Sequence, residues 1–318
     1  MQILIIGDSL AKLRPQSDTS LALAHAALQR GHAVWWGEAE RVVFWERATM
    51  THAVPLTACV SKSLPVVGAE TRCAIDQFDL VVIRKDPPFD DSYVRLCWLL
   101  LPYEGRVTIS NRPSALLTHH EKMIPWLARA AGALRDDEVH PTCVTADAAV
   151  ARDYVLAHPA PAWVVKPWLG FGGGAVQQAA DAAAVAALVA AASEPQLVQP
   201  LLPAVATGGD RRVFLLGGRV VGSLVRIPKP GSIVSNLAAG GRAELRPMDA
   251  ATQDRCERLA RYLHEAQIDF AGADCIAGIV SEVNITSPTG LVALTRIDGE
   301  DLVPQWLDLL EGRVWARP

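Results

Sequence analysis

The sequence predicts an α/β protein, with a mainly parallel sheet in its first third and antiparallel, α+β structure in its last third. Apolar strand-like runs alternate with helical stretches from Ile3 to Ile109, the pattern of strands joined by crossover helices. Two apolar runs flank the pair Gly217-Gly218 and read as a hairpin, and a second turn falls around Gly278. At 318 residues the chain has room for about two or three modest domains with cores of their own.

Ile3-Leu4-Ile5-Ile6 is a buried strand running into Gly7-Asp8-Ser9, and Leu21 to Arg30 follows as a helix that Gly31 ends. Strand character resumes at Ala33-Val34-Trp35-Trp36, then at Leu80-Val81-Val82-Ile83 and Val107-Thr108-Ile109. Parallel sheets present ligand groups at the carboxyl ends of their strands, where Asp8, Ser9, Arg84, Lys85 and Asp86 fall. No GxGxxG follows the first strand, which argues against a nicotinamide site. After Asn111-Arg112-Pro113 a helical stretch carries Glu121-Lys122 and Trp126. Trp163-Val164-Val165-Lys166 is a strand followed by a glycine cluster, and an alanine-rich helix starts near Asp181. Its apolar run from Ala182 to Ala192 is too short to span a bilayer and reads as a buried helix. Gln196-Leu197-Val198-Gln199 forms a strand ending at Pro200, the Arg212 to Leu224 hairpin comes next, and a helix near Leu302 to Leu310 closes the chain.

The formal charge of -4 and the absence of a basic block argue against sequence-independent nucleic-acid binding. The cysteines Cys59, Cys73, Cys97, Cys143, Cys256 and Cys275 are scattered without a CxxC pair, which fits reduced thiols rather than a disulfide framework or a zinc site. Met1-Gln2-Ile3-Leu4-Ile5-Ile6 lacks the basic start and long apolar region of a signal peptide. A soluble, cytoplasmic protein with small-molecule partners, and neither membrane nor nucleic acid, is the expectation.

Asp274, Glu282 and Asn284 are the most informative residues. Asp274-Cys275-Ile276 and Ile279-Val280 read as strands meeting around Gly278. A three-residue loop centred on Gly278 sets Asp274 directly across from Glu282, and Asn284 shares their face because side chains alternate. Like charges facing one another destabilise a hairpin, so something positive is expected between them. Hard oxygen ligands of this kind suit Mg²⁺ completed by substrate phosphates. A two-residue turn would put Glu282 on the opposite face and remove this reading; an acidic turn in solvent is the alternative.

Lys166-Pro167-Trp168-Leu169-Gly170-Phe171-Gly172-Gly173-Gly174 ends a strand on a lysine and continues with backbone N–H groups free of side chains, a combination that can wrap phosphate oxygens. It is not a Walker A loop, and a flexible turn is the alternative. Arg212 and Arg226 each offer a rigid fork for carboxylate or phosphate oxygens, against the alternative of solvated surface charge. The segment from Lys229 to Gly241 reads as a mobile loop, a candidate lid. Arg84-Lys85-Asp86-Pro87-Pro88-Phe89-Asp90 is either a substrate contact or a loop ion-pair cluster. His119-His120 lacks spaced partners and reads as a solvated helix start. The tryptophans read as core and interface filler.

Together the segments Lys85 to Asp90, Asn111-Arg112-Pro113, Glu121-Lys122, Lys166-Pro167 with its glycine loop, Asp210-Arg211-Arg212, Arg226-Ile227-Pro228, Asn236 to Arg242 and Glu282 to Thr289 resemble bacterial glutathione synthetase, in that family's order and over nearly the whole chain. The resemblance implies an ATP-grasp fold preceded by an N-terminal α/β pre-ATP-grasp domain. Its parts would be an N-terminal domain over 1–121, a central lid subdomain over 122–200 and a C-terminal catalytic subdomain over 201–318, with ATP between the last two. Lys122 and Lys166 would meet ATP, Gly170, Gly172, Gly173 and Gly174 would cover its phosphates, Gln199 and Leu201 would line the adenine pocket, and Asp210 would lie nearby. Asp274, Glu282 and Asn284 would hold Mg²⁺, or Mn²⁺ in its place. Arg212 and Arg226 would be catalytic, and Arg84, Asp86, Ser287, Thr289 and Asn236 would contact substrate.

The implied reaction is two-step: a carboxylate takes the γ-phosphoryl group of ATP, and an amine then displaces phosphate from the acyl phosphate. The implied substrates are γ-glutamylcysteine and glycine, and the expected assembly is a homo-oligomer. Uncharged Val234 and Val292 stand where the family carries charge, which brings in a second reading, a ligase joining a different acid and amine. A third is an ATP-binding protein without turnover.

Overall fold

A computed structural model describes residues 1–59, 63–237 and 240–316. Strand β1 (Gln2–Gly7) lies at the centre of the first sheet, and its apolar run is buried on both faces because elements cover both sides of a parallel sheet. Helix α1 (Thr19–Gln29) starts where the Asp18 carboxylate accepts from the Leu21 N–H, and returns the chain to β2 (Ala33–Trp45), parallel to β1. The chain then turns back as β3 (Ala48–Ala58), against which β4 (Val66–Val67) and β5 (Thr71–Ala74) pair antiparallel. Strand β6 (Leu80–Arg84), helix α2 (Asp91–Leu100) and β7 (Thr108–Ser110) complete the order β4-β3-β2-β1-β6-β7. The parallel part is thus β2, β1, β6 and β7. The β2–β3 ribbon is an antiparallel addition absent from the sequence reading. Phe44 and Trp45 at its tip are exposed, so no apolar/polar alternation marks it.

Helices α3 (Pro113–Thr118) and α4 (Ile124–Ala130) lead to a second sheet. It comprises β8 (Cys143–Thr145), helix α5 (Ala148–Ala157), β9 (Trp163–Pro167), β10 (Gln177–Ala179), helix α6 (Ala182–Ala191) and β11 (Gln196–Pro200), with strand order β10-β9-β11-β8. Trp163, Val165 and Val198 pack with Val155, Val185 and Val189 of the two helices into a core of their own. Helix α6 is not the buried helix its composition suggests. Only Val185 and Val189 are buried along it, because alanine is small and a single sheet covers one face. His119 and His120 also depart from expectation, since they follow the end of α3 rather than opening a helix.

Helix α7 (Ala204–Gly208) precedes the third sheet, made of β12 (Asp210–Leu216), β13 (Arg219–Ile227), β14 (Arg242–Glu244), β15 (Phe270–Ile276) and β16 (Ile279–Asn284) in the order β14-β13-β12-β15-β16. All its pairs are antiparallel, as expected, and Gly217-Gly218 turns β12 into β13 with positive φ at both residues. Helix α8 (Ala250–Glu265), before β15, is absent from the sequence reading although Thr252, Cys256, Leu259, Ala260 and Leu263 form its buried stripe. Helices α9 (Leu291–Asp298) and α10 (Val303–Trp315) close the chain. The first and third sheets share two cores. Leu4 and Ile6 cluster with Val213 and Leu259, and Ile3 and Ile5 with Phe214 and Trp306. All six cysteines are free, and the Cys256 and Cys275 sulfurs lie 3.9 Å apart.

Between α4 and β8 the Glu138 carboxylate, fully shielded from solvent, takes Arg135 and Arg258 at 2.6 Å each and Arg255 at 3.3 Å. Burial pushes this carboxyl up, but the bonds from Arg258 and the Arg135 N–H, with the surrounding charge, hold it below its ordinary value. Glu138→Gln is expected to lower stability by about 2–3 kcal/mol in urea unfolding at neutral pH. Because the folded-state value is depressed, this contribution is complete above about pH 4.5 and fades as the pH falls further. Superimposed unfolding curves at pH 7 would contradict it.

Candidate active site

The hairpin β15–β16 places the acids. Its turn is Ala277-Gly278, two residues long, with φ of 49° and 85°, and not the three-residue loop the sequence suggested. A glycine suits the second position because left-handed backbone carries no Cβ penalty there. A regular ladder from that turn would turn Glu282 away. A β-bulge at Ser281 intervenes: Cys275 pairs with Val280 while Asp274 pairs with Glu282, and the Ser281 hydroxyl donates to the Asp274 carbonyl at 3.0 Å. Asp274, Glu282 and Asn284 therefore share a face, through a device that sequence reasoning did not foresee.

Charges alternate across this face of the third sheet. Asp210 and Arg226 are cross-strand partners, as are Arg212 and Asp274. Arg212 grips Asp274 with two bonds of 2.5 and 3.0 Å and donates to the Thr289 carbonyl at 3.2 Å. Gly272 lets the guanidinium lie flat, since a Cβ there would come within 3.0 Å of its Nη1. Arg226 binds Asp210 at 2.5 and 2.8 Å and Asp274 at 2.9 Å. Burial opposes charge on Asp210, Arg226 and Asp274. For Asp274 the two guanidinium groups outweigh it and bring the carboxyl down to about 2, whereas burial dominates at Asp210, whose carboxyl is raised. On Arg226 the two acids overcome burial and raise the guanidinium further. The positive charge expected between Asp274 and Glu282 is thus supplied partly by the protein itself, which corrects the inference from like-charge repulsion alone.

Glu282 faces Lys122 at 3.6 Å, and the Lys122 ammonium also donates to the Gly170 carbonyl at 2.6 Å. Lys166, at the end of β9, is half-buried, and desolvation lowers its ammonium. Among the described residues its side chain makes no hydrogen bond or ion pair, although the charges of Glu282, Asp274 and Asp210 act on it from a distance and oppose that lowering. Gly170 to Gly174 follow, and Val234 packs against Gly173 so closely that a Cβ there would clash. Gln199 is buried on β11 and donates to Thr142 at 2.8 Å, its side-chain oxygen unpartnered among the described residues; Leu201 donates its N–H to Ala162. The segment after β13 holds Asn236, whose carbonyl accepts from Gly241, while Ala238 and Ala239 of the expected lid lie outside the described residues. A cavity of about 520 Å³ beside this segment is lined by Ala206, Ile227, Pro228, Lys229, Ser232 and Arg242.

The first sheet meets the site at the carboxyl ends of β1 and β6. The Asp86 N–H donates to Asp8, and the Asp86 carboxyl, raised by burial, accepts from Ser287. Arg84, expected among the substrate contacts, is instead sealed inside. It donates to Ser20 and to the Pro288 carbonyl at 2.9 Å each, and so holds the Ser287-Pro288-Thr289 loop from behind. Two residues quoted only as motif members do similar work. One Glu121 oxygen accepts from the Ile285 N–H, the Thr286 N–H and the Thr286 hydroxyl at 2.8 to 2.9 Å. Asn111 bonds Asp269, Phe270 and Ile285 backbone with both ends of its amide. An acid or amide is needed at each position because the backbone groups there are buried. The sequence names the residues, but only the fold shows the partners.

Among the described residues no three His, Cys, Asp or Glu converge as a metal cluster. The oxygens on this face still suit a hard cation. The Asn284 Nδ2 donates to Asp274 and to the Gly272 carbonyl, which leaves its Oδ1 and the partly exposed Glu282 carboxylate for coordination. Asp274 would join them only by yielding a bond from Arg226 or Asn284.

Two lysines, a glycine loop and hard oxygen donors, set between two sheets, are the arrangement expected of an ATP-dependent ligase of the ATP-grasp fold. In keeping with this, the D-cycloserine synthetase DcsG has the same fold, with a TM-score of 0.69 at 18% identity, covering 98% of this chain and 99% of that one. The ATP-grasp ligase PsnB, solved with Mg and ADP, aligns with a TM-score of 0.62 at 17% identity over 97% of each chain. Residues 1–116 match the model of the prokaryotic glutathione synthetase N-terminal domain and residues 134–299 that of the prokaryotic glutathione synthetase ATP-grasp domain. The glutathione synthetase of Parasynechococcus marenigrum is 34% identical over 99% of this chain and 100% of its own length, and that of Prochlorococcus marinus is 34% identical over 96% and 97%. The chain belongs to the prokaryotic glutathione synthetase family.

Proposed function

We propose that the chain joins the cysteinyl carboxylate of γ-glutamylcysteine to the amine of glycine at the expense of ATP, with Lys122, Lys166 and the third-sheet face as its machinery. The observation that carries this is Lys166, a half-buried ammonium at the end of β9 that makes no direct ion pair among the described residues, beside the Gly170 to Gly174 loop. A polyphosphate there would supply the direct anionic partner it lacks. Lys122 would reach the same phosphates on leaving Gly170, Gln199 and Leu201 would flank the base, and Asp210 would orient Arg226. Glu282 and Asn284, with Asp274, would hold Mg²⁺, as fits a fold whose neighbour PsnB binds Mg and ADP; when bound, the ion neutralises charge on the transferring phosphoryl group.

The residues' own work is electrostatic. Arg226 spends Nε and Nη2 on carboxylates, so its Nη1 is the group it has for oxyanion oxygens of the acyl phosphate, and Arg212 fixes Asp274 and the Thr289 carbonyl beside it. The lysines stabilise the departing ADP, the amine then attacks the acyl carbon, and phosphate leaves. Asp86 and Ser287, already bonded, with Thr289 and Asn236, would present the acid. Lys229 and Arg242 in the neighbouring cavity suit a substrate carboxylate. Division into 1–121, 122–200 and 201–318, a homo-oligomer and a cytoplasmic site with free thiols belong to the same reading.

A second reading, another acid and amine, is favoured by Val234, which packs on Gly173 instead of presenting charge. Phosphate release from ATP decides between them. Release with γ-glutamylcysteine plus glycine supports the first, and release only with other pairs supports the second. Tight ATP binding without release on any pair would overturn both.

A further inference from the structure

The glycine loop cannot hold itself in place. Gly172, Gly173 and Gly174 have no side chains, and Phe171 between them and Gly170 is exposed. Its anchorage lies at its base, where the Trp168 N–H donates to Pro195 and the Leu169 N–H to Glu194 at 2.9 and 2.7 Å. The Trp168 ring itself is stacked on the His120 ring, with centroids 3.9 Å apart and planes 15° from parallel. Phe89, from the turn that follows Asp86, lies perpendicular to the His120 ring with centroids 6.2 Å apart and is 4.9 Å from the Tyr93 ring of α2. Rings thus run without a break from the first sheet's substrate turn to the base of the phosphate loop.

We propose that His120 and Trp168 are positioning residues for ATP: their stack, backed by Phe89, sets the height of the Gly170 to Gly174 loop over the phosphates. Two residues after His120, Lys122 holds the Gly170 carbonyl, so one short segment grips the loop at two points, one aromatic and one charged. The Lys122 N–H donates to the His120 Nδ1 at 3.4 Å, which requires that nitrogen to be unprotonated. Burial, aided by the charge of Lys122, lowers the imidazole to about 4 and keeps it neutral at physiological pH. A neutral ring stacks on an indole without the desolvation cost an imidazolium would carry. The pair itself contacts none of the residues assigned to the acid above, Asp86, Ser287, Thr289 and Asn236, so its effect is expected chiefly on the nucleotide.

The inference rests on the reading of this loop as the phosphate cover. The test uses the full chain with Mg²⁺, taking the ATP Kd from calorimetry and the KM values from phosphate release. Trp168→Ala and His120→Ala are expected to raise the ATP Kd and KM about five- to tenfold, the loss of one stacked pair, with KM for the acid within about twofold of the parent. Trp168→Phe and His120→Phe, which retain a ring face, are expected to recover most of that loss. An unchanged ATP Kd in the alanine variants overturns the proposal. So does an equal loss in the phenylalanine variants, or a parallel loss of acid affinity, because each would mark a merely structural role. Absence of phosphate release from the parent with every substrate pair would defeat the ligase reading alone, since the calorimetric comparison still decides the stack. Should an alanine variant lose its melting transition, leucine takes its place as bulk without a ring face.

Discussion

Glu282→Gln is expected to reduce turnover by about a thousandfold while leaving the melting temperature within about 2 °C of the parent. The carboxylate is part-exposed at the edge of the third sheet, and its ion-pair partner among the described residues is Lys122 at 3.6 Å. Little folding energy depends on so long and open a pair. Glutamine keeps the shape and one oxygen but removes the charge a divalent cation and its phosphates require. Phosphate release at saturating ATP and Mg²⁺, beside a thermal melt, measures both halves. Near-parental turnover would refute the metal assignment, and a collapsed melt would refute the claim that Glu282 is dispensable for folding.

Asp274→Ala is expected to behave oppositely, with a loss of about 3–5 kcal/mol in stability and a melting temperature lower by on the order of 10 °C, together with lost turnover. Asp274 is buried and bound by two guanidinium groups and an amide. Its removal strands the charge of Arg212 and takes one of the two carboxylates from Arg226 in a largely buried site. Arg212→Met added to Asp274→Ala should recover part of the loss, because it removes the stranded charge; strict additivity in the double variant would show that the pair is not coupled. The two outcomes together would separate acids that face each other across one hairpin, one serving chemistry and the other chemistry and architecture.

Legibility from sequence followed the range of the interaction involved. The apolar runs of β1, β6 and β9 and the Gly217-Gly218 turn were plain, because burial on both faces and positive φ constrain residue type locally. The β2–β3 ribbon was not, since its outer half is solvated and any residue serves there. Helix α8 carried a readable stripe that went unread between the loop after β13 and β15. At the site, the acids, Lys166 and the glycine loop were legible from strand alternation and local pattern and Lys122 from the family resemblance, but their partners were not. Arg84 illustrates the limit: a strand-end arginine looks like a substrate contact until Ser20 and Pro288, distant in sequence, are seen to consume it.

What the sequence determined by itself was the inventory and its order: which strands are buried, where the chain must turn, and which charged and glycine residues are available for phosphate chemistry. These follow from local constraints of periodicity, φ and side-chain type. Tertiary structure alone decided who faces whom. The Ser281 bulge returned Glu282 to the face of Asp274 after a turn of the wrong length, and Arg212 and Arg226 proved to be its partners across the sheet. His120 stacks on Trp168 at the base of the glycine loop rather than opening a solvated helix. The reason is that strand register, burial and the pairing of charges depend on contacts between residues far apart in the chain, and those energies exist only once the sheets have come together.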